Sequence, residues 1–303
     1  LSELLTLFLN NLLPIILTAG IGFLLGKHLK LNPKTLSQVI FYVFGPCLVF
    51  KLLTHSELDN ADILVTMGRE SLFVLLLGLV AWTGGRLLKL ERTLLAAVMI
   101  TIMFMNAGNY GLPVTQFAFG EAALAYAALI FVVMSMMGNS LGVVIASAGS
   151  TSLRASFMGL LRLPATYTLI IGLIFVQFNW VLPLPLDRTV SLLGDAASPA
   201  MLILLGMQLT RVRWNGLNRA LLLAVGLRLL GSPLIALGLS HVMGLNGAVY
   251  QASVLQSAMP SAVMTTMLAT EFDTEPVFVT TVVMVTTLLS PLTLTPLLAI
   301  LGA

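Results

Sequence analysis

Apolar runs of about 20 residues recur along the whole chain, and the short segments between them carry nearly all of its charge. A run of that length spans the roughly 30 Å hydrocarbon layer as a helix. Strands of a membrane barrel would instead alternate apolar and polar positions over about ten residues. In lipid every backbone N–H and C=O must be satisfied within the protein, so the runs restrict the fold to membrane helices. Hydrophobic residues make up 58% of the chain and charged ones 9%, against roughly 25% charged in soluble chains. The sequence thus describes an all-α polytopic membrane protein seated in a lipid bilayer. A lone cysteine, Cys47, rules out an intrachain disulfide and a cysteine metal cluster, and no cofactor is expected. The net charge of +3 is spread singly between apolar runs, which argues against nucleic acid as a partner.

Ten transmembrane helices can be drawn, at roughly 4–26, 34–53, 68–88, 93–118, 121–147, 156–179, 188–210, 216–240, 246–270 and 275–301. The first is too long for a signal-peptide core. Lys27, Lys30, Lys34, Arg86, Lys89, Arg92, Arg154, Arg162, Arg211, Arg213 and Arg219 fall on one side. Lys51, Arg69 and Arg188 fall on the other, and Arg228 lies within a span. The positive-inside rule places the larger set in the cytoplasm and both termini outside the cell. Pro14 and Pro164 stand 150 residues apart, Pro46 and Pro199 153, and Pro113 and Pro260 147. A shared period near 150 divides the chain into two five-helix repeats, 1–150 and 151–303. Because five is odd, the second enters the membrane inverted, as in many secondary carriers.

Two spans are built against the grain of a helix. Met105-Asn-Ala-Gly-Asn-Tyr-Gly-Leu-Pro-Val-Thr115 places two amides, two glycines and a proline inside the fourth, and Gln256-Ser-Ala-Met-Pro-Ser261 interrupts the ninth. A helix interior loses about 1 kcal/mol per Gly and about 3 kcal/mol per Pro relative to Ala. One such break is ordinarily a plain kink, whereas a repeat-matched pair points to a carrier's binding site. The reading is two broken helices whose restarting halves begin near Pro113 and Pro260, with partly positive N-termini facing the membrane interior. Asn106, Asn109, Tyr110, Gln256, Ser257 and Ser261 surround that point and suit an anion such as a carboxylate. The carbonyl ends of the preceding halves, with Asn109 or Gln256, equally suit a sodium ion. No glycine flanks Met259-Pro260, so that helix can also bend without unwinding.

On Asn106-Ala-Gly-Asn109-Tyr-Gly-Leu-Pro113 and Ser257-Ala-Met-Pro260, within a five-plus-five arrangement covering the whole chain, the sequence resembles the auxin efflux carrier family. That family belongs with the bile-acid, arsenite and riboflavin transporters. The resemblance implies that helices 4 and 9 cross at their prolines and that helices 1, 2, 6 and 7 form a scaffold that dimerises. It further implies that helices 3–5 and 8–10 carry the cargo by an elevator type of alternating access, and that the cargo is a small organic anion. Only a short segment, around Gly149 to Arg162, joins the halves where plant members have a long cytoplasmic loop. This is similar to the compact prokaryotic members, for which dicarboxylates such as malate and malonate are the familiar cargo and the bacterial inner membrane the location.

Charges inside spans are candidates for coupling to H+ or Na+. Asp195 in the seventh span and Arg228 in the eighth lie at depths that fit an ion pair, structural or coupling. Lys51 and His55, with Glu57, form a candidate cluster at the end of the second, and Asn139 in the fifth is a polar group on the candidate substrate path. A protease would need a second deep carboxylate or a base within a span, and neither is apparent. An anion or small-solute channel is the stronger rival, since broken helices also line pores.

Overall fold

The computed structural model describes residues 2–29, 31–56, 58, 60–147, 164–210 and 216–303. Within them the chain is helical, and its extended pairing is one isolated antiparallel bridge between Met105 and Ser261. The helices are α1 (Glu3–His28), α2 (Pro33–His55), α3 (Asn60–Leu87), α4 (Arg92–Met103), α5 (107–119), α6 (121–146), α7 (Pro164–Gln177) and α8 (Leu184–Leu209). They continue as α9 (Arg219–Val242), α10 (Gly247–Ser257), α11 (Met264–Glu271) and α12 (Pro276–Leu301). Among the described residues, seven helical stretches are long and apolar enough to cross a membrane. One of these, Ala107–Ala146, is broken into α5 and α6 at Gly120, whose φ of 71° and ψ of −164° suit only glycine. Lys30, Glu57, Arg154, Arg162, Arg211 and Arg213, and the segment between the halves from Gly149 to Arg162, lie outside the described residues.

Proline shapes the helices without ending them. Widened turns at Phe8–Leu12, Ile40–Phe44, Ala107–Gly111 and Leu227–Gly231 each close two residues before a proline: Pro14, Pro46, Pro113 and Pro233. A proline ring clashes with the carbonyl four residues earlier and donates no hydrogen bond, so the backbone ahead of it loosens by one residue per turn. These turns re-aim side chains, including Asn109 and Arg228.

Small residues set the closest packing. A Cβ built on Gly206 of α8 would fall 1.8 Å from the carbonyl oxygen of Ala19 in α1, and one on Gly22 would fall 2.1 Å from that of Ile203. Backbones that approach this closely gain dispersion contacts, the main attraction available between helices in lipid. α8 also packs on α2, and α2 on α7, so α1, α2, α7 and α8 form a contiguous group. The remaining helices gather around the bridge, where α4 packs against α3, α9 and α12, and α10 against α9 and the helix from Leu112.

Candidate functional site

Helix α4 stops at Met103 and α10 at Ser257, and the extended residues beyond them cross. Asn106 N–H donates to the Pro260 carbonyl at 2.8 Å and Ala262 N–H to the Phe104 carbonyl at 2.9 Å. This short ladder satisfies backbone groups that lipid could not. Ser261 fastens it on both sides, its hydroxyl donating to the Thr101 carbonyl at 2.7 Å and its N–H to Thr286 Oγ1 at 3.2 Å. The ninth-span helix therefore unwinds rather than bends. Nor do the segments cross at two matched prolines. Pro260 lies in the crossing strand, four residues ahead of α11, whereas α5 restarts at Ala107 and Pro113 follows its first, widened turn. The loosening that a proline imposes ahead of itself accounts for the offset.

Most of the expected polar residues meet here. Asn106, at the start of α5, is 5% exposed and its Nδ2 has no partner among the described residues. Gln256, fully buried in the last turn of α10, lies over Gly111 so closely that a Cβ there would fall 2.2 Å from its Oε1. Its Nε2 donates to Thr115 Oγ1 at 3.3 Å, while Oε1 has no partner among the described residues. Asn109, on the first turn of α5, is only partly buried. The Tyr110 hydroxyl lies 3.2 Å from Ser290 Oγ of α12. Asn139 borders the site, because its turn, Gly138–Gly142, packs on Met264 and Phe104. Its amide, however, donates to the Ser135 carbonyl of its own helix.

The charges are arranged differently from the expectation. Asp195 and Arg228 are not partners: Asp195 pairs with Lys51 at 2.6 Å, and its side chain is 60% exposed. His55 Nε2 lies 3.2 Å from Asp187, and its Nδ1 2.9 Å from the Lys51 carbonyl. Lys51 and His55 thus face α8, away from the crossing. Arg228 is fully buried at the crossing, where Nη1 donates to the Ile102 carbonyl at 2.6 Å and Nη2 to the Ser257 carbonyl and Ser232 Oγ. Arg69, read from sequence as a charge outside the membrane, is fully buried inside α3 and pairs with Glu70 at 2.8 Å. It also donates to Ser257 Oγ at 2.6 Å, to the Ala236 carbonyl at 3.2 Å and to Ser240 Oγ at 3.1 Å. The Arg69–Glu70 pair was the site's unrecognised component. Its signal was two charges within an apolar window that begins at Ala61.

Comparison with known proteins accords with this architecture. A family described as membrane transport protein matches residues 7–298. An uncharacterized transporter of Methanothermobacter thermautotrophicus is 31% identical, the match covering 92% of this chain and 93% of the relative. Another, of Methanocaldococcus jannaschii, is 25% identical over 89% and 88%. The auxin efflux carrier component 1 of Arabidopsis thaliana is 27% identical over 45% of this chain and 23% of its own length. With a family match over nearly its whole length and full-length archaeal relatives, the chain belongs to the membrane transport protein family that includes the auxin efflux carriers.

Proposed function

We propose that the protein is a secondary carrier of small organic anions, dicarboxylates or auxin-like carboxylates, that binds its cargo at the crossing and works by alternating access. The observation that carries this reading is the unpartnered, buried Asn106 Nδ2, a hydrogen-bond donor, near the N-termini of α5 and α11. Each N-terminus carries about half a positive charge, and an unsatisfied buried amide costs about 1–3 kcal/mol unless a ligand completes it. Asn109 and Tyr110 on the first turn of α5, with Ser257 and Ser261 opposite, supply further polar contacts. Because Asn106, Gln256, Ser257 and Ser261 are all buried, cargo reaches them only when helices move. That favours a carrier over a channel, whose path stays continuous while it conducts.

In this account α4 with α5 and α10 with α11 are broken spans within ten, arranged as inverted repeats of residues 1–150 and 151–303. The mutual packing of α1, α2, α7 and α8 supports their role as a scaffold, through which two copies associate in the plasma membrane with all termini outside. The test is counterflow in proteoliposomes with mono- and dicarboxylates. Saturable uptake stimulated by the same acid on the opposite side is expected. Uptake that neither saturates nor exchanges would indicate a channel, and no response to any carboxylate would overturn the cargo class.

A further inference from the structure

We infer that Arg228 is a resident cation that fills the cation site formed by the two half-helix C-termini, so that the carrier needs no sodium ion at the crossing. Helix ends leave their last carbonyls without partners and carry about half a negative charge each. Here the ends of α4 and α10 converge, through the carbonyls of Ile102 and Ser257, on one fully buried guanidinium. A hard monovalent cation would seek the same oxygens, with the Ser232 hydroxyl as a third ligand. Arginine suits the place better than lysine, because its planar fork reaches two carbonyls at once while its charge is permanent. The widened turn Leu227–Gly231 ahead of Pro233 supplies the aim.

Charge around the crossing then closes without a solute cation. Arg69 is matched by Glu70, and Arg228 by the two C-termini. What stays unmatched is the pair of N-termini, about one positive charge in all, which an anion answers. The consequence for transport rests on the crossing being the cargo site, but the cation site can be tested with no cargo present.

The experiment is thermal denaturation of the purified parent and of Arg228→Ala in NaCl, KCl and choline chloride at equal ionic strength. The parent should melt at one temperature in all three. Arg228→Ala uncovers the oxygens, and a cation that binds only the folded protein raises its melting temperature, so it should melt higher in sodium than in choline. Arg228→Lys, which retains a cation, should show no such preference. Sodium-selective stabilisation of the parent, or identical melting of Arg228→Ala in sodium and choline, would overturn the inference. If Arg228→Ala does not accumulate, carboxylate uptake by the parent decides: equal initial rates in sodium and choline are expected, and a rate about tenfold lower in choline, a difference of about 1.4 kcal/mol, refutes it.

Discussion

Neutralising Glu70 should be among the most damaging single changes in the protein. Its carboxylate is fully buried, accepts from Arg69 at 2.8 Å, and shares its surroundings with the equally buried Arg228. Glu70→Gln leaves the Arg69 guanidinium in a low-dielectric interior with no counter-charge. Removing one partner of a buried pair costs about 3–5 kcal/mol, whereas replacing both by apolar residues of similar size is close to neutral. At roughly 2–4 °C per kcal/mol, Glu70→Gln should lower the melting temperature in detergent by about 6–20 °C. Arg69→Met should do comparable harm, since it also releases the bonds to Ala236 and Ser240 that tie α3 to α9. Arg69→Met/Glu70→Leu should recover much of the loss: Ser257, deprived of Arg69, keeps its bond to the Ser253 carbonyl at 2.7 Å. The assay is a double-mutant cycle on thermal denaturation, with an interaction energy of at least about 2 kcal/mol expected between the two positions. Singles that melt within about 1 °C of the parent, or a double variant as unstable as the sum of the singles, would refute the reasoning.

The other outcomes are more local. Gly206→Ala places a methyl group against the Ala19 carbonyl, forcing α1 and α8 apart; a loss of about 1–3 kcal/mol is expected, read as reduced yield and an earlier melt. Lys51→Ala and Asp195→Ala should each cost under about 1 kcal/mol, because the Asp195 carboxylate is 60% exposed and water screens the pair, and melting curves check this directly. Tags at both termini should be accessible from outside intact cells and tags after Arg154 or Arg213 from the cytoplasm; a cytoplasmic C-terminus would contradict the inverted repeat.

Helix and membrane were legible because lipid leaves the backbone so few options that apolar run length alone decides. The crossing was legible for the same reason in reverse, since Gly108, Gly111, Pro113 and the amides around them have no place in an intact span. What the sequence hid were the charges. Arg69-Glu70 looked like the outer boundary of a span, yet α3 begins at Asn60, and its polar first turn with Asp62 blurred the start. Arg228 appeared to need a carboxylate, and Asp195 was the one at matching depth. Its partners are main-chain carbonyls, which have no signature in sequence and become available only where two helices end together. The offset of Pro113 from the crossing was equally invisible, because it depends on a single widened turn.

The most direct test of the crossing as the anion site is the affinity of Asn106→Ala and Asn109→Ala for whichever carboxylate the parent exchanges, measured beside their melting temperatures. Asn106 Nδ2 has no partner among the described residues and Asn109 is only partly buried, so both variants should fold much as the parent does. Each should bind the carboxylate more weakly by about 1.5–3 kcal/mol, the worth of a hydrogen bond to a charged group, or roughly 10- to 150-fold. If both variants hold the carboxylate as tightly as the parent while melting normally, the cargo binds elsewhere and the crossing is only a structural break.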